Sequence, residues 1–469
     1  MEYIIQQITQ ELLTKITEKA LNGGIHDIDA LASDVLTDCK SAASRMIEAI
    51  CHDINLRIRG DKEGRQMHGL LLKEKERARE LHTELGTLSI PRDYYYDRKN
   101  EKYVAVLDRI IGIRAYERVG DSLSARMVSL ATDVSYAKSA MIASGGRLSR
   151  QTVKNHIMKL PGLEKQPESG EKRIVRELHI YADEDHVHMQ KPGKEKGKSN
   201  RIVPLVTVTE GMSSNGLNRR ETIGRMHFVD ENFDSQKLWN SVEGYIGKAY
   251  DIERIEKIYV HGDGGQWIRN GLENIAQTVH VMDGYHLEKA LKKISRTFPG
   301  KNVSQRLNNA IRSNDRKKAD RVLQSLYDEA EKPAQIDAIR DFGTYLFGHW
   351  EEILRRKTLD IPGSCTEAQV SHVLSERFSR DPLGWSKEGL GKLSKLRVYV
   401  QNGGRIKAAH FKTGKTEKYS DYAEQVIREA CNGAHDWSIF EREPYVPDKG
   451  SNTQYLLAKI GAYHEASFC

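Results

Sequence analysis

Three apolar runs in the sequence each end in an acidic residue: Tyr181-Ala-Asp183-Glu184-Asp185, Val260-His-Gly-Asp263-Gly-Gly and Val281-Met-Asp283-Gly-Tyr-His286. Such runs read as strands, and strand ends in an open α/β sheet are where side chains converge on a shared ligand. Carboxylates gathered in one cleft repel one another, and a hard divalent cation that prefers oxygen relieves the repulsion. Mg2+ or Mn2+ is the expected ion, as two ions. Such a pair activates a nucleophile and stabilises the leaving oxygen in phosphodiester displacement. Asp263 stands among Gly262, Gly264 and Gly265, which lets the backbone turn sharply and leaves the carboxylate uncrowded. On the first strand Asp183 directly follows the apolar run and is preferred, with Asp185 on the same face in reserve.

A third carboxylate is expected on a helix packed against this sheet. In the segment that opens at Gly363, Glu367 shares a helical face with Val370, Ser371 and Leu374. A Glu on such a face needs neutralisation, and a metal is one solution. Glu388 in Trp385-Ser-Lys-Glu-Gly competes for the role. The pair His186 and His188 leaves open a zinc site beside Asp183 or Asp185, although no further His follows at ligand spacing.

The elements that would position these groups are strands alternating with helices, which indicates an α/β core. Residues 1–82 read as a helical N-terminal region. Residues 83–165 read as a small sheet, broken at Pro91, followed by a helix-turn-helix-like DNA-binding region. The core is expected over 172–288 and 361–400, interrupted by a basic helical insertion over 289–360, and 401–469 forms a C-terminal extension.

Two segments suit nucleic acid. Ser149 is a candidate N-cap for a helix with Val153, Ile157 and Leu160 on one face and Arg150, Gln151, Lys154 and Asn155 on another. After a Gly145-Gly146 turn, this could be a recognition helix reading base edges; a solvated bundle helix would look the same. Residues 289–321 hold eleven Lys and Arg against two Asp. That local excess surpasses the +7 of all 469 residues and fits a track that neutralises phosphates. Its expected contacts include Lys292, Lys293, Arg296, Arg316, Lys317 and Lys318. The lysines of 191–198 and the segment from Gly404 to Lys415 rank second.

No run approaches the 18 or so uninterrupted apolar residues of a bilayer span, so a membrane protein is not expected. The N-terminus lacks the basic and apolar regions of a secretory signal. Five scattered cysteines suggest neither a disulfide framework nor a zinc ribbon. A cytoplasmic, nucleoid-associated protein is the expectation.

Together these stretches resemble the bacterial insertion-sequence transposases of the DDE class, most closely the ISLre-type family related to Mutator-like transposases. The resemblance rests on residues 181–190, 261–268, 282–291 and 364–377 with the following Gly-Trp-Ser-Lys-Glu-Gly, and extends into Leu-Gly-Thr-Leu-Ser-Ile-Pro-Arg-Asp-Tyr-Tyr-Tyr and the Leu-Ser-Arg-Gln-Thr-Val helix. It implies a ribonuclease H-like catalytic core with a large helical insertion between the second Asp and the Glu. It also implies metal binding by Asp183, Asp263 and Glu367, with His286 assisting near the phosphate. The implied activity is metal-dependent hydrolysis and strand transfer at the terminal inverted repeats of an insertion sequence, by a homo-oligomer that also holds target DNA. A DNA-binding regulator without catalysis and a metal-dependent repair nuclease are the alternatives.

Overall fold

A computed structural model of the chain describes residues 2–22, 27–167, 170–190, 199–214, 216, 220–273, 275–363, 365–381, 383–412 and Tyr422. These fall into two compact units. The first holds the residues up to Ala125, Met141–Arg147 and the described residues from Lys407 onward; the second holds Arg126–Ala140 and Leu148–Ile406.

The first unit begins with helices α1 (Glu2–Leu21), α2 (Ile28–Gly60) and α3 (Lys62–Met67). Strands β1 (Leu70–His82), β2 (Thr87–Asp97) and β3 (Lys102–Val104) then form an antiparallel sheet in that order, and α4 (Val106–Ile110) follows. Ile54 and Ile58 of α2 pack with Leu88, Ile90 and Tyr95 of β2 in one core. Arg59 and Asn55 of α2 both reach the fully buried Asp93 of β2, at 2.7 and 3.1 Å.

Two expectations fail here. Leu70–His82 is a strand and not the end of a helical region. Its alternating Lys and Glu satisfy helical i,i+4 pairing on paper, but β1 is a sheet edge with few buried positions, so a charged run costs it little. Pro91 does not interrupt β2: β3 pairs only with residues 95–97, so the missing N–H falls where no neighbouring strand asks for it.

Helices α5 (Asp121–Ala131) and α6 (Tyr136–Ser144) lead through the Gly145-Gly146 turn to α7 (Arg150–Lys159), where the Ser149 hydroxyl accepts from Thr152 N–H. The second unit is built on a five-stranded mixed sheet of β4 (Glu177–His188), β5 (Asn200–Thr209), β8 (Met226–Phe228), β9 (Lys257–Gly262) and β10 (Thr278–Met282). Its order is β10-β9-β4-β5-β8, with β4, β9 and β10 parallel and β5 and β8 antiparallel to their neighbours. The short strands β6 (Gly211–Ser214) and β7 (Arg220–Ile223) pair separately.

Strand alternation decides which residues of the central strand face which side. Leu178, Ile180 and Ala182 of β4 share a core with Leu238, Trp239, Val242 and Ile246 of α8 (Ser235–Ala249). The odd positions His179, Tyr181, Asp183 and Asp185 are therefore presented on the opposite face, and all are buried there.

Helix α9 (Gln266–Leu272) follows β9. After β10 come five helices: α10 (Gly284–Thr297), α11 (Val303–Arg312), α12 (Arg316–Asp328), α13 (Pro333–Gly348) and α14 (Trp350–Thr358). They enclose their own core, which includes Leu287, Leu291, Leu307, Leu323, Leu346 and Ile353, and the helical stretch begins at Gly284, ahead of the expected residue 289. The chain then forms α15 (Thr366–Val370), a π-helical turn (Ser371–Ser375), α16 (Glu376–Phe378) and α17 (Lys387–Gln401). Among the described residues no helix is long and apolar enough to cross a membrane.

Candidate active site

Tyr181 of β4 and Val281 of β10 both stand in register with His261 of β9. Two residues beyond each lie Asp183, Asp263 and Asp283. Asp183 lies within β4, and Asp263 and Asp283 each lie one residue past the ends of β9 and β10, so the register brings all three to the same edge of three adjacent parallel strands. Beneath them the rings of Tyr181 and His261 stack at 4.6 Å, and one level lower His179 stacks on Tyr259 at 5.3 Å. This aromatic floor is buried. Burial pushes His179 down to about 4 and His261 down to about 3, so both are neutral at pH 7, joined by a 3.2 Å hydrogen bond.

Each carboxylate has a different environment. Burial raises Asp183 to about 6, and the charges of Asp263 and Asp283 add to the rise. One Asp183 oxygen accepts from Glu184 N–H at 2.8 Å, and one Asp263 oxygen accepts from Gly265 N–H at 2.8 Å. Asp283 is fully buried and engaged on both oxygens. Oδ1 accepts from Thr366 Oγ1 at 3.1 Å; Oδ2 accepts from Tyr285 N–H and His286 N–H, capping α10, and lies 3.0 Å from His286 Nδ1. Burial alone would raise Asp283, but His286 and Thr366 hold it below the usual carboxylate range. Reciprocally, the hydrogen bond to Asp283 raises His286 despite its burial, with help from the charges of Asp183 and Asp263. His286 thus stands among three carboxylates that favour its protonated form.

Between Asp183 and Asp185 the structure discriminates. Both are buried on one face, but Asp185 accepts from Ser379 Oγ at 3.0 Å, and neither Asp263 nor Asp283 is among the groups that shift it. Asp183 is the residue at the junction. His186 and His188 are exposed and alternate away from both aspartates, so the pair does not build a zinc site with them. Among the described residues no three His, Cys, Asp or Glu side chains are grouped closely enough to hold a metal ion.

Glu367 is exposed, contrary to its expected place on the buried face. The buried stripe starts one residue earlier, at Thr366, and continues through Val370, Val373 and Leu374, with the π-helical turn absorbing the change of register. Thr366 bonds directly to Asp283, so the backbone of Glu367 adjoins the site while its side chain faces solvent. Glu388 is exposed in the first turn of α17.

Two further residues at the site carry no sequence signal. His349, at the end of α13, lies against Gly264: a Cβ there would sit 2.4 Å from the imidazole, and Gly264 has φ +84°. Only glycine fits this approach. Tyr345, one helical turn earlier, has its hydroxyl raised by burial and by the charges of Asp283 and Asp263, so it stays a donor, and its Oη meets no partner among the described residues. These residues lie 82 or more positions from Asp263 in sequence, and only the fold of the helical stretch brings them back.

The expected DNA contacts are spread over two surfaces of the second unit. Arg150, Gln151 and Asn155 are exposed on α7 and Lys154 is half-buried. Val153 and Ile157 are buried, and Lys392 of α17 donates to Leu160 C=O at 3.0 Å, so α7 is a packed helix with a polar outer face. Lys292, Lys293 and Arg296 are exposed on α10, which starts at the site, and Arg316, Lys317 and Lys318 are exposed in the first turn of α12. Lysines 191–198 lie outside the described residues, as does most of 401–469, including residues 413–415 of the second-rank segment.

Comparison with known proteins gives a family. The one described as "Uncharacterised protein family (UPF0236)" matches residues 22–415. A UPF0236 protein of Caldanaerobacter subterraneus subsp. tengcongensis, whose name joins eleven loci of that organism, is 32% identical over 90% of this chain and 88% of its own length. A Streptococcus gallolyticus UPF0236 protein, named for the vanSb 3' region, is 21% identical over 65% of this chain and 69% of its own. The Drosophila P element transposase strand transfer complex superposes with a TM-score of 0.21 at 10% identity, over 65% of this chain and 85% of that one, too weakly to establish a shared fold. The match along most of the length and the 32% identity agree: the chain belongs to the UPF0236 family.

Proposed function

We propose that this protein is a DNA transposase with a ribonuclease H-like core, which hydrolyses a phosphodiester at the ends of a mobile element and joins the freed 3′-hydroxyl to target DNA. The observation that carries the reading is the register that brings Asp183 of β4 together with Asp263 and Asp283, one residue past the ends of the adjacent parallel strands β9 and β10. The charges of Asp263 and Asp283 act on Asp183, and carboxylates that feel one another favour a ligand of opposite charge. Asp183 and Asp263 each have one oxygen with no hydrogen-bond donor among the described residues, and hard oxygen donors of this kind fit Mg2+ or Mn2+. These two residues would hold the metal, and Glu367, exposed on the adjoining helix, would have to turn inward to join them as the third donor. Bound there, two divalent ions would activate water and stabilise the leaving oxygen.

The rest of the chemistry belongs to the chain. His286, whose protonated form Asp283 favours, would present positive charge to a scissile phosphate, and Tyr345 would offer a hydroxyl donor. Lys292, Lys293 and Arg296 continue the positive surface along α10. Arg316, Lys317 and Lys318 stand at a helix N-terminus, where the helix dipole opposes cations. Their placement weakens the helix and is better explained by a polyanionic partner. The relative whose name joins eleven loci supports mobility, since repeated occupation of one genome is what transposition leaves behind.

The test supplies the gene in trans to a marker flanked by the DNA that borders the gene, and counts marker insertions in recipient DNA. Asp183→Asn and Asp263→Asn should each lower insertion by about 100-fold or more, the scale of an essential electrostatic contact, while DNA binding persists. Insertion at the unaltered rate in both variants would sink the assignment. Exposed Glu367 is the observation that favours the non-catalytic regulator; that reading expects no insertion by any version of the chain.

A further inference from the structure

The first unit contains an arginine-rich cup that the catalytic reading does not use. It is a cavity of about 600 Å3 between β1, β2 and the segment that follows α4, lined by Arg77, Arg79, Arg92, Arg109 and Arg118. Arg79 and Arg92 are more than nine-tenths buried and converge on the same oxygen of Asp108: Arg79 Nη1 donates to Oδ2 at 2.6 Å, and Arg92 Nη1 bonds to Oδ2 as well. Arg79 also donates to the carbonyls of Arg114 and Glu117. The Glu117 carboxylate at the rim is bonded to Arg114 and acts on Arg79 only through its charge.

Two buried guanidiniums share the one carboxylate they bond to, so their charge is only partly offset by the rim carboxylates of Glu80 and Glu117, which is costly inside a protein. Arg92 Nε has no hydrogen-bond partner among the described residues. Rim charge adds to the imbalance: Arg118 is exposed, as is Arg77, which pairs with Glu74 at 3.5 Å. Aromatic faces stand beside the cations. Arg77 lies 5.2 Å and Arg92 5.0 Å from the Tyr94 ring, while Tyr103 and Tyr116 are exposed at the edge. Guanidiniums match phosphate geometry, and tyrosine faces accept stacked bases.

We propose that this cup is a second nucleic-acid contact, in which Arg92 and Arg79 receive one backbone phosphate, Arg77 and Arg118 hold its neighbours, and Tyr103 and Tyr116 meet the bases. The choice of nucleic acid over a free anion rests on the transposase reading. The positive charge and the open phosphate-sized space stand without it.

The test uses the full chain and fluorescence anisotropy with labelled 20-nucleotide single-stranded and duplex DNA of arbitrary sequence. Because Arg79 and Arg92 are buried, the variant is the rim double substitution Arg77→Ala with Arg118→Ala, checked for an unchanged melting temperature. Affinity should fall about 10-fold, and the slope of log K against log salt should shrink by about 1 to 2, one phosphate contact per arginine. Unchanged affinity and slope would overturn the proposal. So would stabilisation of the protein by inorganic phosphate that DNA fails to compete away, which would mark a free-anion site. Asp183→Asn separates the two readings, since it should remove insertion and leave this binding intact.

Discussion

Asp283 shows how much one residue can be asked to do. It caps α10, fixes His286, accepts from Thr366 and adds to the negative charge around Asp183. In Asp283→Asn the amide can still cap the helix but no longer stabilises the imidazolium. The His286 titration, followed by NMR, should then move from above to at or below the ordinary value of about 6.5. Stability should fall by about 1–3 kcal/mol, as for a buried charged hydrogen bond, measured by denaturant unfolding. A His286 titration unchanged by the substitution would show that Asp283 does not govern it. The sequence announced Asp283, Asp183 and Asp263 because apolar runs ended on them. It misplaced Glu367 because a helical repeat specifies a face only to within one residue, about 100° of rotation, and here the stripe began at Thr366.

At the scale of elements, close approach is as restrictive as periodicity. Helix α17 runs against the chain at Glu231, where a Cβ on Gly391 would sit 1.9 Å from the Glu231 carbonyl oxygen. A backbone oxygen cannot swing aside, so Gly391→Ala should destabilise by about 1–3 kcal/mol, although alanine is the better helix former. A rise in melting temperature in this variant would refute the contact. The same reasoning explains what the sequence left hidden. The apolar run ending at Asp183 revealed β4, whose even positions join a core. That signal failed for β1, where most of the strand faces solvent and nothing sorts the charges.

At the scale of the molecule, the second unit is sensitive to acid. His179, His227 and His261 are buried, and desolvation lowers them to about 4, 3 and 3. Their unfolded value is about 6.5, so the unfolded chain binds more protons below that pH and stability falls as pH drops from 6.5 towards the folded values. Each group costs about 1.4 kcal/mol per pH unit, so three lose about 4. Asp183, raised to about 6, and Asp185, raised by burial, work in the opposite direction, but burial also lowers His280 and His349, so two groups oppose five. Against a usual stability of 5–15 kcal/mol, unfolding between about pH 4 and 6 is expected by circular dichroism; a chain still folded at pH 3.5 would contradict the buried neutral histidines. Stability and site meet at the first residue of the helical stretch. Because the Asp283 carboxylate receives the Tyr285 and His286 amide protons, a ligand that draws on that carboxylate must loosen the start of α10, and one that neutralises Asp183 beside it must tighten it. Hydrogen exchange at those two amides is therefore a built-in gauge of occupancy, readable without following the reaction.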